Sequence, residues 1–346
     1  MGIKTTIIHI AEYLDTTPAT VSRALNNHPS ISEKMKSRVV EAAVRLDYKR
    51  NNIASSLRLG KTFIIGVIVP SAEINFFGSV LHGIESVATK SGYNILIYQS
   101  NESMKFEIKG IKTFLSARVD GILVSIAKDT LDYSHFLEVK DSGVPIVFFD
   151  RANTEIGINS VVIDDYKGAY IATQHLIDQG YKRIAHISGP QHVRIFNDRL
   201  KGYMGALQAN NMTVFYEHIY YGNVSIEAGK KAISHFLTMP DPPDAVFAVE
   251  DFTALGALKE LKEKNLKIPE EFGVIGFANE LFGEHITPTL STIDQQTVLM
   301  GKKAFKLLMQ LIDKQSDKSI VVHYKVVLDP VAIFRNSSTK KNQQKI

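Results

Sequence analysis

The stretch that decides the fold covers residues 6–62 and reads TIIHIAEYLDTTPATVSRALNNHPSISEKMKSRVVEAAVRLDYKRNNIASSLRLGKT. Its apolar residues recur at helical spacing in three short segments, and a basic segment follows. Residues 1–61 hold ten Lys and Arg against five Asp and Glu, so the formal net charge of +4 of the 346-residue chain originates here. A small basic helical module in front of a nearly neutral body predicts a nucleic-acid-binding head joined to a separate sensing part.

Two helices with a tight turn between them are predicted at the start of this stretch. Thr17 caps the second, Pro18–Leu25, whose first residue is a proline that has no N–H to leave unpaired. Asp15 stands where the chain turns, and Asp tolerates the left-handed conformation. A third helix follows Ser30 or Ser32, and Ser30 begins a capping-box spacing. A helix, a tight turn and a second helix form the DNA-binding motif whose second helix enters the major groove.

Three short motifs resemble the head of the lac repressor/gal repressor (LacI/GalR) family of bacterial transcription regulators. They are ATVSRALN at residues 19–26, RLDY at 45–48 and NNIASSL at 51–57. The likeness extends through the whole chain. It implies a cytoplasmic, homodimeric regulator, more often a repressor, that binds a palindromic operator in double-stranded DNA under the control of a small-molecule effector. We expect neither enzymatic activity nor a membrane partner, for the reasons of composition and motif given below.

The resemblance assigns the DNA contacts residue by residue. In the second helix they are Thr17, Pro18, Ala19, Thr20, Ser22, Arg23 and Asn26, and in the hinge that follows the head they are Asn51, Ala54, Leu57 and Arg58. Arg23 can bond guanine through two N–H groups. Leu57 matches an apolar wedge that is pushed into the minor groove. The alternative for Leu57 is that it covers the surface of the body.

Three residues in this region depart from the pattern of the family. Arg50 replaces a usual Pro, His9 replaces a usual capping Asp, and Asp15 replaces a usual turn Gly. Together they predict a head that is somewhat less stable in the absence of DNA.

The composition excludes several classes of protein. The chain has no Cys, so it has neither a disulfide scaffold nor a cysteine-based metal site, and its eleven His show no metal-binding spacing. No run of about 18 apolar residues and no secretory signal are present. We find no dinucleotide-binding, Walker-type or catalytic-triad pattern, and therefore expect no enzyme, cofactor or metal. The polar residues 336–346 are expected to form a disordered tail.

The body alternates apolar strands with amphipathic helices, which indicates an α/β fold with parallel sheets covered on both faces. The layout occurs twice. The resemblance implies two doubly wound, Rossmann-like lobes of the periplasmic-binding-protein type with three crossovers between them. The expected domains are a helix-turn-helix head (1–49), a hinge (50–61) and an effector-binding domain (62–335). The first lobe takes about 62–163 and 293–325, and the second takes about 164–292 and 326–335.

Ligands of such sheets bind beyond the carboxyl ends of the strands. The segments that follow the predicted strands are Ser71–Phe77, Ser125–Lys128, Asp150–Arg151, Ser188–Arg199, Glu250–Asp251 and Ala278–Glu280. With the resemblance, the predicted effector-binding residues are Phe76, Phe77, Asp150, Arg199, Glu250, Asn279 and Gln295. The two Phe would stack on a sugar face or an aromatic base, or else only pack in the core. Arg199 would clamp the effector, or else form a surface ion pair with Asp198 or Glu250.

Two departures from the pattern of the family weaken any inference about the effector. One is Glu250-Asp251, where the family often has Asn-Asp, and the other is Ala278. Ala278 stands where the family usually has an Asp that accepts hydrogen bonds from sugar hydroxyls. Glu250 could take over this role, or it could pair with Arg199 in the empty site. A sugar or sugar derivative is the preferred effector. The competing hypothesis is a transport-type sugar-binding protein without a DNA role, which the basic head argues against.

Overall fold

The computed structural model describes residues 5–48, 60–153, 155–314 and 323–340. The chain divides into two compact units, Met1–Thr62 and Phe63–Ile346. Within the described residues, the first unit contains only helices, whereas the second alternates strands with helices. The fold is therefore a helical head followed by an α/β body, as predicted.

Three helices form the head: α1 (Ile7–Tyr13), α2 (Pro18–Leu25) and α3 (Glu33–Arg45). Their buried side chains are Ile10, Ala11, Val21, Ala24, Val39 and Ala42. These residues recur at helical spacing, so each helix turns one apolar stripe inwards and leaves its other face to solvent.

The turn and the caps of the head follow from local chemistry. Asp15 has φ +50°, which confirms the left-handed turn between α1 and α2. The Thr17 hydroxyl accepts the N–H of Thr20 at 3.2 Å and so caps α2. His9 Nδ1 accepts the N–H of Thr6 at 3.1 Å, so the imidazole supplies an acceptor in place of the carboxylate.

The third helix begins later than one of the two predicted starts. Ser32 is its N-cap, and its hydroxyl accepts the N–H of Met35 at 3.3 Å. The capping box from Ser30 is not formed, because the Ser30 hydroxyl instead lies 2.8 Å from His28 Nδ1.

The first lobe of the body is a six-stranded parallel sheet between two layers of helices. Its strands are β1 (Ile64–Val69), β2 (Asn94–Gln99), β3 (Gly121–Val124), β4 (Ile146–Phe149), β5 (Asn159–Ile163) and β11 (Lys325–Leu328). The order across the sheet is β11-β5-β4-β3-β1-β2. Its helices are α4 (Asn75–Ala88), α5 (Met104–Ser116), α6 (Ser134–Asp141) and α11 (Thr297–Lys314). Helices α4 and α11 cover one face, and α5 and α6 cover the other.

The second lobe repeats this plan with four parallel strands. They are β6 (Ile184–Ser188), β7 (Ile219–Tyr221), β8 (Ala245–Ala248) and β9 (Gly273–Ile275), in the order β7-β6-β8-β9. Its helices are α7 (Asp165–Asp178), α8 (Arg194–Ala209), α9 (Ile226–Phe236) and α10 (Asp251–Glu263). An antiparallel pair, β10 (Thr292–Asp294) and β12 (Val331–Ile333), packs against α7.

The final strands correct one expectation about the lobes. The expected bounds of the second lobe, 326–335, cover β12 and most of β11, but β11 pairs in parallel with β5 of the first lobe, with Lys325 opposite Ser160. Only β12 belongs to the second lobe, so the third crossover follows Leu328. The sequence did not reveal this, because two short apolar strands look alike whichever sheet edge they join.

The C-terminal segment is ordered further than expected. Ser337 and Ser338 are fully buried, although a disordered tail was expected from residue 336. The Ser337 hydroxyl donates to the carbonyl of Val274 at 2.7 Å, and the Ser338 hydroxyl lies 2.6 Å from that of Ser291. Small hydroxyl side chains can be buried when each hydroxyl has a partner, which composition alone does not show. Residues 341–346 lie outside the described residues.

Candidate functional site

The exposed face of α2 carries most of the predicted DNA contacts. Val21 and Ala24 are buried, which turns the opposite face of the helix to solvent. Thr17, Pro18, Ala19, Arg23 and Asn26 are exposed, and Thr20 and Ser22 are half-buried. The surface therefore begins at the N-terminus of the helix, the end that reaches base edges in helix-turn-helix proteins.

The hinge contacts stay predictions. Asn51, Ala54, Leu57 and Arg58 lie outside the described residues, as does Arg50. Their roles rest on the sequence.

A cavity of about 430 Å³ lies between the two lobes, at the carboxyl ends of their strands. It is large enough for a small metabolite. Six of the seven predicted effector-binding residues line it: Phe76, Phe77, Asp150, Arg199, Glu250 and Gln295. Both lobes therefore contribute walls to one site, as the rule for ligand crevices predicted.

Asn279 does not line the cavity, unlike the other six predicted effector-binding residues, and its contact with an effector stays a prediction. Its amide donates to Asp294 Oδ2 at 3.0 Å, and its carbonyl oxygen accepts from Arg335 at 3.2 Å. The backbone has φ +134° at Ala278 and +56° at Asn279, and these angles turn the Asn279 side chain away. Its neighbours Ala278 and Glu280 line the cavity instead.

Arg199 is held rigidly inside the second lobe. Its Nε donates to Asp165 Oδ1 at 2.8 Å, one terminal nitrogen donates to the carbonyl of Val249 at 2.7 Å, and the other donates to Gln295 Oε1 at 3.3 Å. The guanidinium carbon lies 3.7 Å from the centre of the Phe277 ring. Because a guanidinium has five N–H donors, two remain for a ligand. The expected alternatives, pairing with Asp198 or Glu250, are both wrong.

Asp165, the ion-pair partner of Arg199, has a raised pKa. Burial raises the pKa of Asp165 to about 7, and the guanidinium of Arg199 acts in the opposite direction. The Asp150 carboxyl, on the other side of the cavity, is also buried, and burial raises its pKa. Carboxyls of this kind are typical of functional sites in clefts.

Glu250 has a structural role that the sequence did not indicate. Its carboxylate accepts the N–H groups of Phe252 and Thr253, at 2.9 and 2.6 Å, and the Thr253 hydroxyl at 2.7 Å. It therefore caps α10. Glu250 does not pair with Arg199, whose partners are Asp165, Val249 and Gln295. Its expected role as the replacement acceptor for sugar hydroxyls stays a prediction.

Glu280 is the acidic side chain that sequence reasoning missed. It is 3% exposed, it lines the cavity, and its Oε1 accepts the N–H of Phe76 from the opposite lobe at 3.3 Å. Its own N–H donates to Asp251 Oδ2 at 2.7 Å. The sequence could have pointed to Glu280, because this residue lies within the predicted crevice segment Ala278–Glu280.

Two cations of the first lobe also line the cavity and were not among the predicted contacts. Arg151 donates to Glu102 Oε2 at 2.6 Å, and Lys128 Nζ lies 3.4 Å from Glu102 Oε1. His192 of the second lobe lies 2.7 Å from the carbonyl of Lys128. This contact and the bond between Glu280 and Phe76 join the lobes across the cleft.

Phe76 and Phe77 combine the two roles considered for them. Their rings meet edge to face with centroids 5.0 Å apart, and both belong to the core of the first lobe. Both also line the cavity, so the core holds them rigid while they face the cleft. Phe196 and Phe252 add two further rings from the second lobe.

The described part of the chain lacks two features that would indicate other kinds of protein. It contains no group of three or more His, Cys, Asp or Glu arranged to hold a metal ion. In the same residues, no helix combines the length and the apolar character needed to span a bilayer.

Known proteins match both the head and the body of this chain. Residues 6–51 match the model of bacterial regulatory proteins of the lacI family, and residues 62–328 match the periplasmic binding proteins and sugar-binding domain of the LacI family. Catabolite control protein A of Priestia megaterium is 32% identical over 91% of this chain and 95% of its own length. The HTH-type transcriptional repressor CytR of Escherichia coli K12 is 34% identical over 86% of each chain.

Solved structures show the same fold. The lac repressor dimer bound to operator and the anti-inducer ONPF has a TM-score of 0.86 at 24% identity, over 98% of this chain and all of that one. The transcription regulator CcpA of Lactococcus lactis has a TM-score of 0.73 at 30% identity, over 80% of this chain and 98% of that one. The chain therefore belongs to the LacI family and is a DNA-binding transcriptional repressor with an effector-binding domain, not an enzyme.

Proposed function

We propose that this repressor binds a palindromic operator as a homodimer and leaves it when a sugar or sugar derivative enters the cleft. The observation that carries the proposal is the pairing, in one chain, of an exposed α2 surface with a cavity walled by both lobes. The first surface suits a DNA groove, and the second suits a small polar ligand.

The homodimer follows from the small size of the DNA-reading surface. One short helix reads only a few base pairs, and two-fold symmetric proteins match palindromic sites. The edge strand β2 supports the same idea, because Leu96 and Ile97 on it are 38% and 46% exposed. Apolar side chains on an open sheet edge favour association with a partner.

The effector would control DNA binding by changing how far the two lobes close on each other. Contacts such as that between Glu280 and the backbone of Phe76 exist only while the cleft is closed to this degree. A ligand that favours another degree of closure shifts the population of lobe arrangements by its difference in affinity. The segment 50–61 would transmit this change to the heads, with Leu57 as its minor-groove wedge.

The cleft fits a polyhydroxylated ligand. Arg199 and Gln295 supply polar groups from one side, Asp150 supplies a carboxylate from the other, and aromatic rings can stack on the apolar face of a sugar. Two regulators that this chain resembles are CytR and CelR. A solved structure of CelR is a complex with the sugar cellobiose. A sugar or sugar derivative is therefore our preferred effector, acting in the bacterial cytoplasm.

The competing transport-type function lacks a role for the head. Residues 6–51 match the regulatory family, and the α2 surface is exposed. A transport-type binding protein uses neither feature.

The test is selection of duplexes from a random pool by the full-length chain, followed by sedimentation of the complex. We expect a palindromic consensus with two chains per duplex, and weaker binding after Leu57→Ala. A non-palindromic consensus bound by a single chain would contradict the proposal.

A further inference from the structure

Three carboxylates stand together on the wall that the second lobe gives to the cleft. Glu250 and Glu280 line the cavity, and Asp251 lies directly behind them. Asp251 is fully buried, and its two oxygens accept the Thr292 hydroxyl and the Glu280 N–H, both at 2.7 Å. Every hydrogen bond described for these three carboxylates comes from a neutral donor.

No cation pairs directly with these carboxylates in the described part of the chain. Within the described ranges, no Lys, Arg or His nitrogen lies within 4.0 Å of Glu250, Asp251 or Glu280. The cations that line the same cavity have carboxylates of their own. Arg199 pairs with Asp165, while Arg151 and Lys128 pair with Glu102.

Two helix N-termini offset part of the charge. Glu250 caps α10, and Glu280 accepts an N–H in the first turn of α4. Each helix end acts as roughly half a positive charge, so two of them offset about one of the three carboxylates. When all three carboxyls are ionised, a negative excess therefore remains on the wall.

The backbone that carries Glu280 is strained. Ala278 and Asn279 are consecutive non-glycine residues with positive φ, +134° and +56°. The Asn279 side chain is tied to Asp294 and Arg335, which holds this conformation in place. Strain of this kind persists at functional sites, where it fixes the position of a side chain. Here it directs Glu280 into the cleft.

The raised pKa values of Asp251 and Glu280 agree with an excess of negative charge on this side of the cavity. Burial raises the pKa of Asp251 to about 7, and the neighbouring charges of Glu250 and Glu280 add to the rise. Burial, followed by the charge of Glu250, also raises the pKa of Glu280. In each case a nearby positive charge would stabilise the ionised form.

The rest of the cavity suits a cation as well. Phe76, Phe196 and Phe252 contribute aromatic rings to its lining, and a ring face attracts an ammonium group. A metal ion is not the indicated occupant, because the described residues contain no group arranged to hold one.

We propose that the effector carries an ammonium group, as an amino sugar or another amino polyol does, and that Glu280 and Glu250 receive it. This inference rests on the proposed function and narrows its ligand class. The hydroxyl groups would face Arg199, Gln295 and Asp150.

The first test uses the full-length protein without ligand at pH 8. Glu280→Gln keeps the shape and the acceptor for the Phe76 N–H but removes one charge. We expect its melting temperature to rise by a few degrees. The matched control is Asp165→Asn, which removes a carboxylate that has a cation partner and should lower the melting temperature. A lower melting temperature for Glu280→Gln would overturn the inference.

The second test compares matched ligands by titration calorimetry at pH 7 and low salt. The pairs are glucosamine with glucose, galactosamine with galactose, and mannosamine with mannose. We expect at least one amine to bind at least tenfold more tightly than its neutral counterpart, and Glu280→Gln to abolish that difference. If no amine binds more tightly than its counterpart, or if the difference survives Glu280→Gln, the inference is wrong.

These failures can be told apart from failure of the proposed function. A neutral sugar that releases the repressor from a palindromic operator would leave the function intact and overturn only the ammonium inference. Binding of a single chain to a non-palindromic site would overturn the proposed function, whatever the result with Glu280→Gln.

Discussion

Arg199 and Asp165 form an ion pair that is buried on both sides, with the guanidinium Nε 2.8 Å from the carboxylate Oδ1. The two side chains come from neighbouring helices, α8 and α7, of the second lobe. The pair fixes the guanidinium before any ligand arrives. A ligand that bonds to Arg199 therefore meets a rigid partner, which lowers the entropic cost of binding.

Removal of one member of this pair should destabilise the protein strongly. Arg199→Ala leaves the Asp165 carboxylate buried without a cation, and breaking a buried pair in this way costs about 3–5 kcal/mol. We expect urea denaturation of the full-length chain at pH 8 to show a loss of that size. Arg194→Ala, which removes a 48% exposed partner of Asp198, should cost no more than about 1 kcal/mol. Equal losses in the two variants would contradict a buried pair.

The carboxyl of Asp251 should make stability depend on pH. Its pKa in the folded protein is about 7, against an ordinary value of 3.8, because it is buried. The folded state therefore holds a proton that the unfolded state releases, and this group lowers the free energy of unfolding as pH rises from about 4 to 7. Asp251→Asn removes the titration.

The measurement is the free energy of unfolding of both proteins at pH 5 and pH 8. We expect the difference between Asp251→Asn and the wild type to shift in favour of the variant at pH 8. A difference that is the same at both pH values, or that shifts the other way, would show that Asp251 titrates normally.

Two glycines of α4 should respond in opposite ways to the same substitution. A Cβ on Gly83 would lie 2.3 Å from the carbonyl oxygen of Val298, whereas a Cβ on Gly78 would meet nothing within 4 Å. We expect Gly83→Ala to destabilise the protein, because α4 and α11 must separate. Gly78→Ala should stabilise it by about 0.5–1 kcal/mol, since Ala is the better helix former. Thermal denaturation distinguishes the two, and similar shifts would contradict the close packing of these helices.

The sequence predicted those parts of the protein in which local pattern and tertiary structure agree. Val21 and Ala24 are spaced to bury one face of α2, and this spacing leaves Arg23 exposed. The continuous apolar run of β1 indicated a strand covered on both faces, and five of its six residues are buried. Six of the seven predicted effector-binding residues line the cavity because strand ends determine where ligands bind.

The sequence could not predict features that depend on backbone angles or on distant partners. The positive φ values of Ala278 and Asn279 decide that Glu280, and not Asn279, faces the cavity. Nothing in the residue types at those positions demands such angles. In the same way, Arg199 pairs with Asp165, 34 positions away in the chain, and not with the acidic residues that were considered.

The central claim, that α2 reads base sequence, is tested most directly by fluorescence anisotropy of the full-length chain on a selected operator and on random duplex. We expect Arg23→Ala to reduce the preference for operator over random DNA by about 1–3 kcal/mol, the value of one bidentate contact with guanine. Lys34→Ala removes an equal charge from α3 and should leave that preference unchanged. An unchanged preference after Arg23→Ala would contradict the account.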